Sequence, residues 1–137
     1  MQRKLWRNRW LSCINELTSF ELQKKSWIDE INSNPHWSFV EFMCNYFDDL
    51  GIDNNYEYQL KKEWVSEKEL ETIIKWHELL DKYNSPKNDD SNHLSIIEDK
   101  TWKLIIQEGK KAVSELLKDL SENEIQILTE EIDYTKF

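Results

Sequence analysis

The chain has only two glycines and two prolines in 137 residues. Turns and sheet corners draw heavily on both, so their scarcity disfavours a β-rich fold and favours helices joined by short connections. It has only two cysteines, Cys13 and Cys44, and no CxxC pair. A disulfide framework is therefore not indicated, and reduced thiols packed as small hydrophobes in a cytoplasm are the simpler expectation. No apolar run approaches the roughly 20 residues of a membrane-crossing helix. Arg7, Asn8 and Arg9 interrupt the start MQRKLWRNRWLSC, so no signal peptide is expected. The P-loop pattern, GxGxxG, GxSxG and HExxH are all absent.

The histidines, His36, His77 and His93, are scattered. His77 and Asp81 are four apart on a predicted helix, but two ligands are too few for zinc. His77 lies on an apolar face and reads as a satisfied core histidine, whereas His93 lies in a polar loop and reads as solvated. Cys44 and His36 are about 12 Å apart if one helix carries both, too far for a nucleophile and its base. The reading is a non-enzyme with no catalytic residues, no cofactor and no metal.

What the chain does have is large packing units and acid. Seven Trp, five Tyr and five Phe can fill a core. A chain of this length buries roughly 68% of its unfolded surface, as one domain. The formal net charge is −9, yet Arg3, Lys4, Arg7 and Arg9 cluster at the start without an acid among residues 3–9. The rest is therefore more acidic than the whole. Direct nucleic-acid binding is disfavoured, because counterion release needs a basic surface. A basic protein partner would be steered toward the body of the domain.

Helical periodicity runs through the sequence. Trp6, Trp10, Cys13, Ile14 and Leu17 predict a first helix over residues 3–16 with its arginines outward. This segment can stand as an N-terminal helical extension of the 1–137 domain. Thr18-Ser-Phe-Glu21 reads as a capping box opening a second helix to about Ile31. PHWSFVEFMCNYFDDLG, residues 35–51, has its polar residues on one narrow stripe and large apolar residues elsewhere, as a helix covered on several sides would. Asn34 as cap, Pro35 at the first position and Gly51 after the end bound it. Tyr56, Tyr58 and Leu60 alternate with polar residues and predict a loop or short extended piece. A box at Ser66–Glu69 opens a helix to about Tyr83, and residues 85–93 form a polar loop. A long helix spans Asp99–Leu120, with Gly109 inside its apolar stripe at a close helix approach. A third box at Ser121–Glu124 opens the last helix.

The fold expectation is an all-α, single-domain bundle of five or six helices around residues 35–50. Its core should hold Trp27, Phe39, Phe42, Met43, Phe47, Ile74, Trp102, Ile106 and Leu116.

LTSFELQKKSWIDE, SFVEFMCNYFDDLGIDNNYE and EDKTWKLIIQEGKKAV carry a T-S-x-x-x-Q-x-x-x-W opening, a central F-D-D and a late W-x-x-I helix. Across roughly residues 17–115 the chain resembles small acidic bacterial immunity proteins of polymorphic or contact-dependent growth-inhibition toxin systems. The resemblance implies a protein that binds and blocks a cognate toxin domain.

The residues themselves point to Asp48 and Asp49, since two carboxylates at a helix C-terminus oppose its dipole. Either they are paired or solvated within the fold, or they belong to a docking patch. In the docking reading they act with Asp53, Glu57 and whichever of Tyr56 and Tyr58 is exposed, against a basic partner, and a toxin domain fits that description. The alternative is a regulatory or adaptor module that self-associates through its basic start and acidic body.

Overall fold

The computed structural model describes residues 2–52 and 54–136, and every regular element among them is helical. Eight α-helices follow in order: α1 (Arg3–Thr18), α2 (Phe20–Ile28), α3 (Phe39–Phe47), α4 (Glu57–Lys61), α5 (Glu67–Asp81), α6 (His93–Glu98), α7 (Lys100–Leu116) and α8 (Glu122–Thr129). Short 3-10 turns lie at Pro86–Asn88, Leu117–Asp119 and Tyr134–Lys136. None of the helices is long and apolar enough to cross a membrane among the described residues.

Capping explains the starts. At α5 the box is complete: Glu69 N donates to Ser66 Oγ at 3.1 Å and Ser66 N to Glu69 Oε1 at 3.0 Å. At α8 only half forms. Glu124 N donates to Ser121 Oγ at 3.4 Å, while the Glu124 carboxylate turns to Arg7. The expected box at Thr18 moves by one residue. Thr18 ends α1, donating its hydroxyl to Ile14 O at 2.7 Å, and Ser19 caps α2 through Leu22 N at 3.3 Å. Keeping Thr18 helical lets its methyl pack where α7 passes. A Cβ built on Gly109 would lie 2.5 Å from Thr18 Cγ2 and 2.9 Å from Trp76 Nε1. The close approach expected at Gly109 is thus real, and α1 and α5 both make it.

The described residues form eight α-helices rather than the five or six expected, and four segments need correction. The helix expected over residues 35–50 begins only at Phe39. Asn34 Oδ1 is taken by His36 N at 3.0 Å in a local turn, and Ser38 Oγ accepts from Glu41 N at 3.2 Å as the true cap. Such local side-chain bonds compete with helix. Second, α2 stops at Ile28, leaving Ile31 94% exposed. Third, residues 57–61 form a helical turn rather than a loop or strand. Fourth, the polar loop ends early: Asn92 caps α6 through Ser95 N at 3.2 Å, and Asp99 caps α7 through Thr101 N at 3.1 Å.

The packing centres on α1, which is flanked by α2, α3, α7 and α8, while α5 lies along α7. The expected centre, α3, packs chiefly on α1. Trp6, Trp10, Tyr46, Tyr56, Phe42, Trp76 and Trp102 are fully enclosed in one hydrophobic cluster. Of the expected core, Trp27, Phe39, Phe42, Trp102, Ile106 and Leu116 are buried, whereas Met43, Phe47 and Ile74 are half-buried.

Arg7 is the main surprise of α1. The helical periodicity places it outward with Arg3 and Arg9, which are exposed, but Arg7 is only 4% exposed. Its guanidinium forks onto both Glu69 oxygens, at 3.0 and 2.8 Å, and both Glu124 oxygens, at 2.8 and 3.2 Å. It also donates to Trp64 O at 2.7 Å. The planar fork suits such bidentate contacts and ties α1, α5 and α8 together.

Candidate functional site

A groove of about 820 Å³ opens beside the exit of α3. One wall is α1, whose residues Arg9, Ser12, Cys13 and Glu16 share a helical face. The 34–37 turn supplies His36 and Trp37, and the end of α3 supplies Asn45, Asp49 and Leu50. The far wall is the segment after α8, residues 130–136. Hydrogen bonds hold it, together with packing of Ile132 and Tyr134 against the core. Asn15 Nδ2 donates to Ile127 O at 3.1 Å and Glu130 O at 3.0 Å, and the Tyr134 hydroxyl donates to Asp29 Oδ2 at 2.7 Å. Tyr134 also meets Trp37 edge to face at 6.0 Å.

The rim of this groove is acidic. Glu16, Asp49, Glu130, Glu131 and Asp133 face Arg9 and Lys136. Lys136 lies 4.0 Å from Asp133, and Glu16 Oε2 lies 2.7 Å from His36 Nε2. Asp49, Glu130 and Glu131 have no ion pair among the described residues. The hydrogen bond that His36 Nε2 donates to Glu16 raises the His36 pKa above the usual imidazole value, with burial opposing and the Glu16 and Glu41 charges adding to the rise. Burial pushes the Cys13 thiol up to about 12, so it stays protonated and is no nucleophile at neutral pH.

The residues singled out from the sequence fall in different places. Asp48 and Asp49 are both exposed, and neither is bridged to a Lys or Arg among the described residues. Asp49 lines the groove. Burial raises the Cys44 thiol first, and the Asp48 charge and its hydrogen bond to that thiol add to it. Asp53 lies outside the described residues. Glu57 is exposed at the start of α4, with Lys61 4.0 Å away. Tyr58 is 51% exposed, edge-on to Trp64 at 5.5 Å and beneath Lys62 at 5.8 Å. Tyr56 is fully enclosed and offers no surface for docking. Its hydroxyl accepts from Trp10 Nε1 at 3.0 Å and hydrogen-bonds the Tyr46 hydroxyl, which lies 2.8 Å from His77 Nδ1 in a second hydrogen bond. A phenol with two such partners is held inside by them. Of the two tyrosines, Tyr58 is the one a partner can touch.

His77 is the satisfied core histidine expected, and burial lowers its pKa. His93 is not simply solvated: its Nδ1 donates to Trp27 O at 2.9 Å and its Nε2 accepts from Phe39 N at 3.3 Å. It thereby joins α2 to the start of α3. Among the described residues no group of three or more His, Cys, Asp or Glu is placed to hold a metal ion.

Sequence reasoning missed Glu16, His36 and the 130–136 wall. Glu16 and His36 are twenty residues apart, and no local pattern joins them. The one available signal was the cluster of carboxylates Glu130, Glu131 and Asp133 following the last helix. No family model, curated protein or solved structure matches the chain.

Proposed function

We propose that this protein is an immunity-type binding module that neutralises a basic toxin domain stoichiometrically. The docking face runs from Asp48 and Asp49 at the exit of α3 into the acidic groove. The single observation that carries this reading is the set Asp49, Glu130 and Glu131, carboxylates with no cation paired to them among the described residues, around a partly apolar concavity. Charges that a fold leaves unpaired around a concave surface favour an oppositely charged partner, chiefly through faster and more selective association. The motif resemblance over residues 17–115 points the same way. Glu57 and the exposed Tyr58 extend the contact in this reading, since tyrosine is favoured at interface hot spots.

An enzymatic role draws less support. The histidines are engaged with Glu16, Tyr46 and Trp27 as parts of the fold, and the Cys13 thiol is held protonated. Self-association through the basic start also draws less support, because Arg7 is consumed inside the fold and Arg3 Nε donates to Glu63 O at 3.2 Å.

The test is co-expression with the C-terminal domain of the protein encoded immediately upstream. The reading requires restored growth and a one-to-one complex whose association slows as salt rises. Normal growth inhibition with no complex would leave the adaptor reading in its place.

A further inference from the structure

Four buried side chains form one hydrogen-bonded chain behind the exit of α3. Trp10 Nε1 meets the Tyr56 hydroxyl at 3.0 Å, the Tyr56 and Tyr46 hydroxyls bond each other, and the Tyr46 hydroxyl lies 2.8 Å from His77 Nδ1. An indole can only donate, so the first contact uses the Trp10 hydrogen. The other two contacts have the two phenolic hydrogens to share. Every hydrogen is used only if His77 Nδ1 is a bare acceptor, as it is in the neutral ring with its proton on Nε2. A second proton must go to Nδ1, and it brings a fourth hydrogen to three contacts. Nδ1 then donates to Tyr46 and Tyr46 to Tyr56. The Tyr56 oxygen accepts from both sides, and its own hydrogen has no acceptor in the chain. A buried polar hydrogen without a partner is costly.

The surplus falls on a residue already under constraint. Asn54, Asn55 and Tyr56 are left-handed in succession, at φ 49°, 53° and 70°. Asparagine tolerates that conformation, but a bulky aromatic rarely adopts it. Tyr56 keeps it with its ring enclosed and its hydroxyl bound. The flanks are pinned to α1 independently of His77: Trp6 Nε1 donates to Leu50 O at 2.9 Å, and Arg7 Nη1 to Trp64 O at 2.7 Å. Between these pins the chain is held by Tyr56 and by Gln59, whose Nε2 donates to Leu50 O at 3.3 Å and Gly51 O at 3.1 Å.

We propose that His77 is the latch of a proton-operated device. Neutral, it completes the chain that holds Tyr56; protonated, it releases Tyr56 and lets residues 54–63 open while the packing of α7 on α1 and α5 stays. Glu57 and Tyr58 are exposed on that segment, so a partner contact made there weakens in acid. The groups facing His77 are Glu78 and Asp81 of α5, Tyr46 of α3 and Tyr56, with Cys13 of α1 acting on both phenols. Burial holds the phenols and the thiol protonated. His77 is the imidazole among these groups, the side chain that ordinarily changes charge near neutral pH. Burial disfavours its imidazolium in the closed form, against the pull of Asp81 and Glu78. The open form therefore takes up a proton at higher pH than the closed form, and acid favours opening.

The experiment is hydrogen exchange of the full chain, followed by mass spectrometry between about pH 7.5 and pH 5 and corrected for the intrinsic exchange rate. Protection of residues 54–63, which include the Leu60 amide bonded to Tyr56 O at 2.9 Å, is compared with that of α7. The latch requires protection of 54–63 to fall by up to about tenfold per pH unit below the open-state imidazole value of about 6.5. Protection of α7 should change by less than about twofold, as a separate unit of opening would. His77→Gln keeps an acceptor, cannot titrate and leaves His36 and His93 in place, so its 54–63 protection should stay flat with pH. Tyr56→Phe, which keeps the ring and removes the hydroxyl, should lower 54–63 protection already at the upper pH. Flat protection in the wild type, an equal loss in α7, an unchanged slope in His77→Gln, or full protection in Tyr56→Phe would each overturn the latch. The device is read on the free chain, so failure to neutralise a toxin leaves it standing.

Discussion

Arg7 and Glu16 sit on the same helix, and both are almost buried, at 4% and 8% exposure. The fold treats them very differently. Arg7 has its Nε and both terminal nitrogens engaged, by Glu69, Glu124 and the Trp64 carbonyl. Glu16 has one partner, a histidine whose charge depends on pH, and its other oxygen opens on a groove. A buried charge is costly unless it is paired and hydrogen-bonded. At Arg7 the requirement is met from within, by residues 62 and 117 positions away. At Glu16 it is met only in part. The first arrangement joins three helices. The second joins α1 to the 34–37 turn and leaves one carboxylate oxygen facing the groove.

The comparison breaks most visibly at Arg7. Arg7→Met strands Glu69 and Glu124 against an apolar side chain, and should cost about 3–5 kcal/mol, the range for removing one partner of a buried ion pair. Urea denaturation reads this directly, and an unchanged midpoint would mean that the knot between α1, α5 and α8 is ornamental. Gly109→Ala probes the same helix contacts without touching charge. Alanine gains about 1 kcal/mol in helix propensity. Its methyl would nonetheless overlap Thr18 Cγ2 and Trp76 Nε1, so a net loss within the ~1–3 kcal/mol range of overpacking is expected. A stabilised variant would show that α7 can shift away from α1 and α5.

The two histidines sharpen the comparison through pH. His36 is raised by its hydrogen bond to Glu16, so its stabilising contribution is fully present below the unfolded value of about 6.5 and is lost as pH rises through the folded value. His77 is lowered by burial, so the protein loses stability as pH falls from about 6.5 toward the folded value. The denaturation midpoint of His36→Gln should therefore lack a component that declines with rising pH in the wild type. Its pH profile lying parallel to the wild type would show that the Glu16–His36 contact does not favour the imidazolium. The smallest stability effect is expected at the groove's edge. Asp48→Lys with Asp49→Lys should change stability by only about 0.5 kcal/mol or less, since both side chains are exposed and lysine suits a helix C-terminus. Under the proposed function, association with a basic toxin domain should slow markedly in the same protein. Unfolding of the double variant with unchanged binding per folded molecule would make the pair structural.

Local chemistry made much of the fold legible. The Ser66 box, the stripe through Trp102 and Ile106, the Gly109 approach and the left-handed Gly51, at φ 62°, all follow from short-range patterns. The errors came where two local solutions compete. Thr18 and Ser19 are adjacent capping residues, and the contact with Gly109 decides between them. Asn34 and Ser38 both precede the apolar run of α3, and Ser38 prevails because Glu41 N lies within its reach. The 57–61 turn hid behind an alternating pattern because Tyr56 points into the core to meet Trp10 and Tyr46. The candidate site was legible only at its edge, in Asp48 and Asp49. Its substance is long-range. Arg7 reads as a basic surface residue until α5 and α8 arrive, and Glu16 reads as one more helical acid until the 34–37 turn and the closing segment enclose it.

The Glu16–His36 contact can be measured without a cognate partner. The His36 imidazole is titrated by NMR in the wild type and in Glu16→Gln. The account predicts a folded-state pKa above the ordinary imidazole value in the wild type and a lower one in Glu16→Gln, because the carboxylate that accepts from Nε2 is then gone. A His36 titration that Glu16→Gln does not move would contradict it.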